Sequence, residues 1–212
     1  MKSEPKVNYG YILKYILIGE PDVGKSKLLY QFQNGYSIEE ELPPTIGVEF
    51  GKKNIKINNE IFIIKIWDTN GSDGFRSITR GYFRSIACAL VIYDISDRNS
   101  FNNVSSWINE CKNYLPKTAL LILVGNKIDL NSQRKVSFEE GNDFAKENNM
   151  MFFETSAKNG NNVSEIFLNS SKKISERIKQ GYYDLENVSC GIKIGKRNLA
   201  NKYISLSKYV NY

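Results

Sequence analysis

Apolar runs of strand length alternate along the chain with stretches whose apolar residues recur at helical spacing. YILKYILIG, IFIIKIWD, ACALVIYDI, ALLILVGN and MMFFETS are rich in β-branched and aromatic residues, and each ends in a polar loop. That is the pattern of a parallel sheet covered by helices on both faces. A helix is expected over Lys25–Asn34, and a last one over 163–180, where Val163, Ile166, Phe167, Ile174 and Ile178 share one face. VEFGKKNIKI and IFIIKIWD flank Asn58 and Asn59; asparagine tolerates positive φ, so the pair predicts a tight hairpin and one antiparallel strand. The expected class is α/β, a mostly parallel six-stranded sheet with one antiparallel strand. One folded unit is expected over 11–180, after an extension of residues 1–10. From Gly181 the periodicity stops, and 181–212 has the composition of a variable, disordered tail.

The chain of 212 residues is 41% apolar and 25% charged, enough for one sizeable core. No apolar run reaches the roughly 18 residues of a membrane span. The start, MKSEPKVNYGY, is polar and lacks the apolar centre of a secretory signal, so a cytoplasmic setting is expected. Cys88, Cys111 and Cys190 are odd in number and unpatterned, as free thiols are. A net charge of +6 would suit an anionic partner. The basic residues are scattered, however, and a solvated helix face accounts for Lys172, Lys173, Arg177 and Lys179, so no nucleic acid is expected. The absence of histidine excludes histidine-based zinc sites and Ser-His-Asp or Cys-His catalysis. Chemistry here must use carboxylates, hydroxyls, lysine or a bound metal.

GEPDVGKS, residues 19–26, fits G-x-x-x-x-G-K-[ST] between a predicted strand and a predicted helix. Gly19 and Gly24 let the backbone wrap phosphates with its N–H groups turned inward, and the helix N-terminus adds positive potential. Lys25 can reach the β- and γ-phosphates, and the Ser26 hydroxyl can ligate Mg²⁺. Asp22, Val23 and Lys27 belong to the same candidate site.

Taken in order, GEPDVGKS, TIGVEF, WDTNG, NKID and ETSAK resemble the small Ras-like GTPases, a P-loop fold. The resemblance implies that Asn126 and Asp129 hydrogen-bond guanine, that Lys127 lies along the base, and that the Ala157 N–H binds the guanine oxygen. Leu130, Ser156 and Lys158 complete those loops, with Tyr36 as the aromatic beside the base. A carboxylate left unpaired is costly, so Asp129 should reject ATP. The resemblance further implies Mg²⁺ held by Ser26, Thr45 and, through water, Asp68, with γ-phosphate contacts from the backbone N–H groups of Thr45 and Gly71. IGVEF, KIWD, FRSITRGYF and VIYD are similar to Rab stretches. VEFG, FRSITR and NVSCGIKIG look like the Rab-two subgroup of traffic between endoplasmic reticulum and Golgi. Phe50, Trp67 and Tyr82 match the aromatic triad that Rabs show to effectors, although core or edge aromatics would read the same way. Effectors, an exchange factor and a TBC-type activating protein are the implied partners.

Four departures qualify the resemblance. Ser72 stands where the family's glutamine orients the attacking water, and it is too short for that reach, so slow hydrolysis is expected from a catalytic set of Lys25, Thr45 and Ser72. Pro21 and Asp22 replace a small residue and a glycine, and the Asp22 carboxylate should weaken nucleotide binding. The stretch from Tyr36 to Thr45 is two residues longer than in Ras and adds Glu39, Glu40 and Glu41. Cys190 fits no prenylation motif, so no encoded lipid anchor is expected. The resulting expectation is a slow GTP/GDP switch in vesicle-mediated transport, transient on the cytosolic face of endoplasmic reticulum, Golgi or vesicle membranes. The alternative is a GTP-binding scaffold without turnover.

Overall fold

The computed structural model describes residues 10–36, 42–72 and 76–195. Strands β1 (Tyr11–Ile18), β2 (Val48–Ile57), β3 (Glu60–Thr69), β4 (Cys88–Asp94), β5 (Leu120–Asn126), β6 (Met151–Glu154) and β7 (Ile192–Ile194) form one sheet. The helices are α1 (Lys25–Asn34), α2 (Arg76–Phe83), α3 (Arg98–Asn102), α4 (Val104–Tyr114), α5 (Phe138–Glu147) and α6 (Val163–Lys179). Along the main path the order is β2-β3-β1-β4-β5-β6, with β2–β3 antiparallel and the other neighbours parallel. The expected class is therefore present, and β2–β3 is the one antiparallel pair along this path. Asn58 and Asn59 both take positive φ, 48° and 66°, with Ile57 facing Glu60 across the turn. Two left-handed residues in a two-residue loop match the right-handed twist of the strands.

Alternation along β1 builds the layers. Leu13, Tyr15 and Leu17 face the cluster containing Leu28 and Phe32 of α1 and Ile166 and Phe167 of α6. Ile16 and Ile18 face the opposite cluster, with Phe83 of α2 and Trp107 and Ile108 of α4. Phe32 stacks on Phe167 with ring centroids 3.8 Å apart, joining α1 to α6. The buried Tyr15 hydroxyl satisfies itself on Ser170 and Ser171 of α6, both at 2.9 Å. Gly35, at φ 79°, ends α1 by returning its N–H to the Gln31 carbonyl.

The fold does not close at Gln180, which corrects both the expected boundary and the strand count. Tyr183, Cys190 and Ile192 are buried, and β7 runs antiparallel to the start of β1, with Leu13 opposite Ile192 and Tyr11 opposite Ile194. The cause lies in the register. β4 meets β1 only from Tyr15 onward, which would leave the first backbone groups of β1 unpaired on that side; β7 pairs them. Gly191, at φ 75°, lets the chain pass, because a Cβ there would lie 2.2 Å from the Ala87 nitrogen. Of the expected terminal segments, 1–9 and 196–212 lie outside the described residues. Among the described residues, no helix is long and apolar enough to cross a membrane.

Candidate functional site

The candidate loops converge where the parallel strands end, the usual ligand edge of a doubly wound sheet. Gly19 follows β1 at φ 141°, and a Cβ there would lie 2.1 Å from the Ile92 carbonyl oxygen. Gly24 precedes α1 at φ 94°, and its Cβ would lie 2.4 Å from Asn126 Nδ2. Between them, Lys25 is buried and donates Nζ to the carbonyls of Gly19 (3.0 Å) and Glu20 (2.6 Å), inside the loop it is expected to serve. Burial lowers its pKa to about 8, although the charges of Asp68, Glu20 and Asp22 work in the other direction. Asp22 itself is exposed at φ 60°. In this arrangement its carboxylate acts on the phosphate-loop lysine.

Three oxygen-bearing side chains meet beside that lysine. Ser26 Oγ lies 2.5 Å from Asp68 Oδ2 and 2.9 Å from Thr45 Oγ1, and Thr45 Oγ1 donates to Asp68 Oδ2 at 3.5 Å. Asp68 is fully buried, and its Oδ1 has no hydrogen-bond partner among the described residues. Burial raises its pKa to about 6, with Glu49 adding to the rise while Ser26, Lys25 and Thr45 oppose it. A desolvated carboxylate with one unsatisfied oxygen, flanked by two hydroxyls, fits a hard divalent cation such as Mg²⁺. The cation would neutralise phosphate charge; the protein's part is to hold the oxygens and exclude water.

The two loops that the resemblance assigns to the base are bonded to each other and to the phosphate loop. Asn126 is fully buried: Oδ1 accepts from the Ala157 N–H and from Thr155 Oγ1, both at 3.1 Å, while Nδ2 donates to the Val23 carbonyl at 2.8 Å. Asn126 thus fastens the phosphate loop to the 155–157 loop, and its Oδ1 engages the Ala157 N–H that the resemblance assigns to the guanine oxygen. Asp129 is half-buried and receives the hydroxyl of buried Ser156 on Oδ1 at 2.5 Å. That bond aims the carboxylate. Lys127 crosses the phosphate loop with its Cε 4.0 Å from the position of a Gly24 Cβ, and its ammonium pairs with Asp94 Oδ2 at 2.8 Å. Leu130 is half-buried beside them and Lys158 is exposed.

Tyr36 packs edge-on against Tyr30 at 5.9 Å and is 61% exposed, so its ring contact is with α1 and not with the base loops. Lys27 is half-buried on α1. Gly71 presses on the phosphate loop: a Cβ would lie 2.4 Å from the Gly19 carbonyl oxygen and 2.6 Å from the Pro21 nitrogen. Ser72 donates both its N–H (2.8 Å) and its hydroxyl (2.7 Å) to Asn70 Oδ1. Phe50 and Tyr82 are exposed, and Phe50 meets Trp67 edge-on at 5.5 Å. The acidic insertion Glu39, Glu40 and Glu41 lies outside the described residues. Sequence reasoning missed Asn70, Asp94, Thr155 and the Trp107 bond to Glu20. Only Asn70 had a signal, as a polar residue at an unexpected place in WDTNG.

A glycine loop around a buried lysine, a convergent serine, threonine and aspartate, and an oriented aspartate on the adjoining loop define a P-loop nucleotide-binding domain. Compared with known protein families, residues 14–176 match the Ras family, and the chain belongs to it. It is a small GTPase, a guanine-nucleotide-binding switch; members of this family bind GTP and GDP, generally with Mg²⁺, and work with regulators and effectors.

Proposed function

We propose that this GTPase is a Rab-type switch of vesicle-mediated transport that hydrolyses GTP slowly. In this reading Lys25 neutralises the β- and γ-phosphates, with the loop backbone from Gly19 to Lys27 around them. Ser26, Thr45 and Asp68 hold Mg²⁺. Asp129, aimed by Ser156, selects guanine, while Asn126 clamps the loops together. The Thr45 and Gly71 N–H groups meet the γ-phosphate. Phe50 and Tyr82 face effectors, and the membrane of action is that of the early secretory route, reached through protein partners.

One observation carries the slow rate: the Ser72 hydroxyl is turned back onto Asn70 Oδ1. A donor so engaged, on a side chain this short, has no reach toward a water in line with the γ-phosphate. The test is single-turnover hydrolysis of preloaded GTP by the wild type and by Ser72→Gln. A slow wild type with a variant at least tenfold faster supports the reading. A wild type as fast as the variant sinks it. If neither turns over and GTP stays bound, the scaffold without turnover replaces it.

A further inference from the structure

We propose that Asn70 is a positioning residue that ties the Thr45 segment to the Ser72 segment through protein atoms alone, so that Thr45 stays docked when GDP replaces GTP. The inference rests on the nucleotide-switch reading above and deepens it.

Asn70 follows β3 directly, and its backbone N–H continues the β2–β3 ladder by donating to the Gly47 carbonyl at 3.0 Å. Its side chain adds a further rung. Nδ2 donates to the Thr45 carbonyl at 2.5 Å, while Oδ1 accepts the N–H and the hydroxyl of Ser72. One amide therefore holds a residue before β2 and a residue two positions past itself. Thr45 is buried, with its hydroxyl on Ser26 and Asp68, whereas its neighbour Ile46 is 85% exposed. Anchoring the Thr45 carbonyl thus fixes where an exposed apolar side chain is displayed.

A switch of this kind ordinarily gains its contrast because the segment that bears the metal-binding hydroxyl is released when its phosphate contacts go. Here the carbonyl side of that segment is held by a bond to which no phosphate contributes. A ligand shifts an equilibrium only by its differential affinity for the two states. A tether present in both states lowers the release that GTP hydrolysis can produce.

Hydrogen exchange of the 44–48 amides would be compared in protein loaded with GDP and with a non-hydrolysable GTP analogue. In the wild type the two rates should agree within about threefold. Asn70→Ala should speed exchange of the GDP form about tenfold, the effect of losing one well-made hydrogen bond. Asn70→Asp, which keeps the acceptor for Ser72 and loses the donor to Thr45, should do the same, while Ser72→Ala keeps the wild-type rate. If the wild-type GDP form exchanges more than tenfold faster than the analogue form, or if neither Asn70 variant changes the GDP form, the proposal is wrong. Should Asn70→Ala fail to fold, Asn70→Asp against Ser72→Ala decides the matter. Failure to bind GDP would overturn the nucleotide reading instead, and the same variants compared without nucleotide would still decide whether Asn70 holds the 44–48 segment.

Discussion

The indole N–H of Trp107, buried on α4, donates to the Glu20 carboxylate of the phosphate loop at 2.9 Å. One turn further along the same helix, Glu110 receives Arg80 of α2 at 2.9 and 3.2 Å, and Arg80 also lies 5.2 Å over the ring of Tyr114. Positions 107, 110 and 114 share a helix face. That face holds the phosphate loop at one end and α2 at the other.

Trp107→Phe keeps an aromatic ring and removes the donor together with the five-membered ring that carries it, which adds a packing loss to the lost bond at this buried position. Equilibrium urea unfolding should show a loss of about 1–3 kcal/mol from the bond, the range for a hydrogen bond to a charged group, and labelled GDP should dissociate faster. Glu20→Gln keeps an acceptor and should lose less than Trp107→Phe. Equal losses would assign the effect to the carboxylate's charge and not to this bond.

Asn126 and Asp129 lie three positions apart, and the proposed reading gives them separate work. Asn126→Ala would strand the Ala157 N–H, the Val23 carbonyl and the Thr155 hydroxyl, so we expect a loss of roughly 3 kcal/mol or more even without nucleotide. Asp129→Ala should cost about 1 kcal/mol or less in the same unfolding assay while reducing GTP-over-ATP preference by about 10²-fold or more in competition binding. Comparable destabilisation by both variants would contradict this division.

Gly71→Ala places a Cβ 2.4 Å from the backbone of the phosphate loop. The two segments must then move apart, which should weaken GTP-analogue binding more than GDP binding, as calorimetric titration would show. Gly81→Ala is the control from the same region, because nothing lies within 4 Å of its Cβ position. An unaffected Gly71→Ala would mean that the close approach is dispensable.

Truncation after residue 180 removes Tyr183, Cys190 and Ile192 from the core, and truncation after 195 removes none of them. At about 1.5–3 kcal/mol per large buried side chain, the shorter chain should lose roughly 5 kcal/mol, a fall in Tm of about 10–20 °C. The longer one should melt with the full chain. Equal melting of all three would show that β7 adds nothing to stability.

Strand alternation, the Asn58-Asn59 turn and the glycine spacing of 19–26 were legible because each is a local rule written in neighbouring residues. β7 was not, since Ile192, Lys193 and Ile194 are too few to show a period, and their pairing answers a gap in β1 created far away in sequence. The same holds at the site. A motif tells which residues gather, but the three bonds by which Asn126 joins two loops and the return of Ser72 onto Asn70 depend on distances that only the folded chain sets.

The Gly195 N–H donates to the Gly10 carbonyl at 2.7 Å. Whatever precedes residue 10 and whatever follows residue 195 is therefore attached at one corner of the molecule. The eight residues of β1 separate that corner from Gly19, a span of roughly 26 Å at strand rise. A tag, dye or fusion partner at either junction would sit away from the nucleotide, and a short linker across the corner would permit circular permutation. Paired labels placed there would report their own constant proximity, so sensors of nucleotide state belong on the loops at the far end of the sheet.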